Sequence, residues 1–145
     1  MAAILGHRAT PMGIEFYIQS VGTDESHLLT QQMVLHIFQC DDVPNAHGFF
    51  AIVYDDQNAC DLTCATQDHR VTDLCIHRPV DHPALYQSIF NLLKSGQYVL
   101  FAPGGMAPIV ASPQTAALVP RDMSDALGAP VCVTNPDQIR PALFG

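Results

Sequence analysis

The chain has no tryptophan and a single lysine, Lys94, in 145 residues. Only six basic residues stand against 14 acidic ones, a formal net charge of −8 at pH 7. Nucleic-acid binding needs cations that displace phosphate counterions, so this excess argues against it. Attachment to anionic membrane surfaces is disfavoured for the same reason. No apolar run approaches the roughly 18 residues that a bilayer crossing requires. The opening Met1-Ala-Ala-Ile-Leu-Gly6 is too short an apolar run for a secretory signal, and no basic residue precedes it. Residues 1–12 read as a flexible leader, with Met12 an equally suitable start, and 13–145 as one domain.

Catalytic signatures are missing as well. The sequence holds no G-x-S-x-G, Walker, dinucleotide-binding, H-E-x-x-H or EF-hand pattern. The loop Ala102-Pro-Gly-Gly-Met-Ala-Pro108 lacks the lysine and the following helix of a phosphate loop, and reads as a turn. The five cysteines, at 40, 60, 64, 75 and 132, are odd in number and widely spread. That is the pattern of reduced, buried thiols in a cytoplasmic protein and not of a disulfide framework.

Two cysteine readings carry chemistry. Cys60, Cys64, Cys75 and His77, with His69 and His82 nearby, offer zinc-type donors. On an extended strand, however, Cys60 and Cys64 would lie about 13 Å apart at roughly 3.3 Å per residue. One tetrahedral zinc holds two sulfurs only about 4 Å apart. Core cysteines and a surface histidine are therefore expected, with no metal or cofactor. Cys132 precedes the helix start Asn135-Pro136, where a dipole would help a thiolate. Its neighbours Val131 and Val133 instead place it in an apolar strand as an inert thiol.

What is present is a packable domain, 48% hydrophobic. Ile14, Phe16 and Ile18 alternate with Glu15, Tyr17 and Gln19, a half-buried strand over 13–20. Thr23-Asp-Glu-Ser26 supplies caps for a helix continuing through Leu29, Met33, His36 and Cys40. His47–Tyr54, Cys60–Thr66 and Arg70–His77 read as three strands of a meander. Asp81 as cap, Pro83 in the first turn and Gly96 at the exit define a helix with a Leu85, Ile89, Leu92, Leu93 stripe. Tyr98–Phe101, Pro108–Ala111 and Val131–Thr134 read as strands, 120–127 as a short helix, and 135–142 as a last helical turn. The fold class is α+β: an antiparallel meander packed by two or three helices.

Charge is unevenly placed. Asp41, Asp42, Asp55, Asp56, Asp61, Asp68, Asp73 and Asp81 lie within 41–81, opposed only by Arg70 and Arg78, a formal −6. Asp41-Asp42 and Asp55-Asp56 follow apolar strands as turn formers, and adjacent positions on a strand point to opposite faces. If the meander forms, Asp41, Asp42, Asp55, Asp56, Asp61, Asp68 and Asp73 gather at its turns and open face and attract one basic protein partner.

Small size, acidity, reduced thiols and these aspartates resemble bacterial immunity proteins against secreted toxic effectors. That resemblance implies one-to-one occlusion of a more basic toxin domain and no enzymatic activity of the chain's own. The alternative expectation is a small enzyme or ligand-binding domain with a pocket near Pro103–Pro108. A homo-oligomeric module would be favoured by exposed Phe49 or Phe101.

Overall fold

A computed structural model of the protein describes residues 14–105 and 107–145. The leader assigned to 1–12 lies outside the described residues. The domain is α+β, with seven strands in one mostly antiparallel sheet. The strands are β1 (Phe16–Ser20), β2 (Phe50–Asp55), β3 (Asn58–Gln67), β4 (Arg70–His77), β5 (Tyr98–Phe101), β6 (Ile109–Val110) and β7 (Val131–Cys132). Their order is β2-β3-β4-β1-β5-β6-β7, and only the β6–β7 pair is parallel. Among the described residues five helices accompany it, α1 (Gln31–Ile37), α2 (Pro83–Ser95), α3 (Pro113–Leu118), α4 (Arg121–Leu127) and α5 (Ile139–Phe144).

The meander forms as the alternation demands. Asp56-Gln57 links β2 to β3, and Asp55 holds that turn by accepting from the Gln57 N–H at 2.8 Å. Asp68 and His69 both take positive φ, 52° and 66°, and close β3 onto β4 with a two-residue hairpin turn.

One sheet face is dry. Phe16, Ile18, Ile52, Leu62, Ile76 and Leu100 are fully buried there against Val34 and Leu35 of α1, Leu85, Ile89 and Leu92 of α2, and Leu143 of α5. The other face is covered at one end only. There Val21, Val99 and Val110 meet Ala116, Val119 and Met123, contributed by α3, α4 and the link between them. Over β1–β4 this second face carries half-buried Tyr17, Thr63, Cys75 and His77 and exposed Ala51, Val53 and Asp73.

Two helix starts differ from expectation. Thr23–Ser26 caps only a 3-10 turn, with the Asp24 side chain accepting from the Ser26 N–H at 3.0 Å. Helix α1 begins at Gln31 with Thr30 as its cap, so Leu29 and Cys40 lie outside it and Met33 is exposed. The reason is tertiary. Leu29 is pinned in extended form, its carbonyl accepting from the Val71 N–H at 2.7 Å and its N–H donating to the Tyr98 hydroxyl at 2.9 Å. Helix α2 has the expected span, but its cap is His82, whose Nδ1 accepts from the Ala84 N–H at 3.0 Å. Asp81 instead takes Arg140 at 2.9 Å and the Tyr86 hydroxyl at 2.8 Å, tying α5 to α2.

Candidate functional site

The partly uncovered sheet face brings together a carboxylate, an imidazole, a thiol and two hydroxyls. Residues two apart on a strand share a face, so Cys75 and His77 of β4 stand side by side. The register sets Tyr17 of β1 and Thr63 of β3 on either side of Cys75. Glu15, immediately before β1, reaches the same spot. Its carboxylate accepts from His77 Nδ1, and its other oxygen accepts from the Tyr17 hydroxyl at 3.1 Å. On the far side of the ring, His77 Nε2 lies 2.8 Å from Thr63 Oγ1. Phe49 stacks flat on the imidazole, with centroids 4.8 Å apart and 4° between planes.

In the tautomer whose Nδ1–H donates to Glu15, Nε2 accepts from the Thr63 hydroxyl. The His77 bond, then the Tyr17 bond, holds the Glu15 carboxyl below the usual carboxylate range. The same contact pushes the Tyr17 phenol up. Burial, then the neighbouring Glu15 charge, pushes the Cys75 thiol up to about 12. The site is half open, with the His77 side chain 23% and that of Glu15 41% exposed. Carboxylate, imidazole and hydroxyl stand in the order of a general-base relay. Thr63 lies in mid-strand, however, not at the strand-to-helix turn where acyl-transfer nucleophiles meet aimed N–H donors.

The cysteine–histidine quartet is divided by the sheet. Cys60 and Cys64 point into the core from β3, and burial pushes both thiols up to about 11. Cys75 and His77 point the other way and meet Glu15, which the cysteine spacing did not single out. Its signal was the Glu15-Tyr17-Gln19 side of the first strand pattern, read alongside the Cys75-x-His77 step. Cys132 is exposed and not a core thiol, since β7 runs at the sheet edge and Val133 takes the buried place.

The seven aspartates spread along the β2–β4 half of the sheet and do not meet at one point. Asp41 and Asp42 lie on the loop from α1 to β2, which also carries Phe49 to His77. Asp55 and Asp56 form the turn at one end of β3 and Asp68 the turn at the other. With ten residues in β3, those ends are roughly 30 Å apart at about 3.3 Å per residue. Asp61 and Asp73 lie between them, beside the Glu15–His77 site, facing His77 and Ala65 in the ladder. All but Asp61 are exposed. Arg78 pairs with Asp61 at 3.5 Å, and Arg70 donates to the Leu28 carbonyl, so both cations of the segment are engaged. Asp81, the eighth acid, is neutralised by Arg140.

Gly105 N–H donates to the Ala102 carbonyl at 2.9 Å, and Gly104 has φ +74°, so 102–105 is a turn between β5 and β6. Phe101 is stacked on Tyr17 at 5.7 Å, and neither it nor Phe49 is a fully exposed apolar side chain. Compared with known proteins, the chain matches no family model, no curated protein and no solved structure.

Proposed function

We propose that the chain is a protein-binding domain of the immunity or inhibitor type, which docks a more basic partner on the β1–β4 part of its sheet. The observation that carries this reading is the one-sided sheet. Helices seal one face, while the other offers half-buried aromatics, Tyr17 and Phe49, among Glu15, Asp61 and Asp73. Aromatic anchors within a charged rim are the usual anatomy of a recognition surface. The turns carrying Asp55, Asp56 and Asp68 extend the negative field to both ends of the strands, and such a field speeds encounter with a cationic surface. Occlusion of an enzyme domain by this face needs no catalytic group of the chain's own.

The test is association kinetics with the partner captured from the source cell. Asp55 is a poor target because it holds its own turn. Reversing Asp56, Asp61 and Asp73 to lysine is expected to slow association tenfold or more at low salt, and much less at high salt. Reversing Asp122 and Asp125, exposed on α4, serves as the control and should leave the rate within a factor of about two. Equal rates for the sheet variant and the wild type would overturn the reading.

A further inference from the structure

We propose that Glu15, Cys75 and His77 form a three-ligand site for a zinc-class divalent cation, with the fourth position open. Cys75 Sγ lies 3.8 Å from Glu15 Oε2 and 3.8 Å from His77 Nδ1. The three donor atoms all fall within 4.8 Å of one another. Bonds of about 2.0–2.3 Å in a tetrahedron place donors roughly 3.3–3.8 Å apart, so small side-chain adjustments seat an ion. Two of the ligands come from one strand face, a rigid base for the site, and the third from the residue immediately before the neighbouring strand.

The donor set selects the ion. Thiolate, imidazole and carboxylate suit zinc and its first-row neighbours, whereas magnesium and calcium prefer oxygen alone. Thiolate and carboxylate together balance the charge of a dication.

The surrounding shell is that of a metal site. Ligating histidines ordinarily donate their second ring N–H to an acceptor, which fixes ring and tautomer. With Nδ1 on the metal, Nε2–H donates to Thr63 Oγ1, already 2.8 Å away. The Tyr17 hydroxyl holds the second Glu15 oxygen, and Phe49 covers one side of the imidazole. Three protein ligands with a half-exposed rim leave the fourth position to water or to a donor atom of a docked chain.

The test is zinc titration of the purified full chain against a competing chelator, with X-ray absorption of the loaded protein. One zinc per chain is expected, with a single sulfur in its shell. Cys75→Ser and His77→Ala should each weaken binding at least 100-fold, and Thr63→Ala 10–100-fold. Cys132→Ser and Cys64→Ser should leave it unchanged. Thr63, Cys75 and His77 lie on the half-exposed face whereas Cys64 faces the core, so thermal unfolding of each metal-free variant checks that it is folded. Absence of stoichiometric binding overturns the proposal. So does wild-type affinity in Cys75→Ser, or a shell with no sulfur or with several.

Discussion

Ile52→Ala is expected to cost about 2–5 kcal/mol of stability, while Val53→Ala, one residue along the same strand, should stay within about 0.5 kcal/mol. Ile52 is 0% exposed and Val53 is 52% exposed, because successive strand residues face opposite sides and helices cover only one of them here. Removing three carbons from Ile52 leaves a cavity that the surrounding core refills only in part. Removing two from Val53 changes surface that water already wets. Domains are stable by only about 5–15 kcal/mol, so the first change takes a large share of the total. Chemical denaturation of both variants reads the contrast. Comparable losses from both would mean that the second face is packed as well, and would remove the basis of the docking proposal.

Tyr98→Phe is the second large effect, on the order of 2–4 kcal/mol. The hydroxyl is fully buried, donates to the Val71 carbonyl at 2.7 Å and accepts from the Leu29 N–H at 2.9 Å. Phenylalanine fits the same space but leaves both backbone groups buried without that partner, at about 1–3 kcal/mol each before water or local relaxation offsets part of it. Because the bond ties the segment before α1 to β4, amide exchange at Leu29 should accelerate more than exchange in α2. A loss below about 0.5 kcal/mol would show that the hydroxyl does not fasten this junction.

The same junction explains where sequence reading succeeded and where it stopped. Helix α2 was legible because Pro83, Gly96 and the leucine stripe are local signals that tertiary contacts reinforce. Strand β4 was legible to the residue, since its alternation coincides with its burial. The start of α1 was not. Its local capping signal at Thr23–Ser26 competes with Leu29 and Thr30, which pair with the beginning of β4 and hold the chain extended. Helix α3 was hidden in a proline-bearing stretch, although Ser112 caps it by accepting from the Thr115 N–H at 3.1 Å. Val131 and Val133 on either side give Cys132 the sequence signature of a core position. Neither residue of the two-residue edge strand β7 is buried, and only Val133, immediately after it, enters the core.

The site was half legible for a related reason. Cys75 and His77 stood out by residue type, and the strand spacing rightly separated Cys60 from Cys64. Their actual neighbour, Glu15, lies 60 positions from Cys75 and arrives only through the β1–β4 register. Long-range pairing of that kind leaves no trace in local spacing. Asp55, Asp56 and Asp68 stand at turns, Asp61 and Asp73 on the second face and Asp41 and Asp42 on the loop before β2, and the length of β3 draws them out into a band.

The docking surface itself is most directly examined by hydrogen–deuterium exchange on the full chain, free and saturated with its captured protein partner. Slowed exchange should appear in β3, β4 and the 41–49 loop, with α2 and α5 unchanged. Slowing confined to α2 and α5, with those strands and that loop unaffected, would place the partner on the helical side and contradict the account.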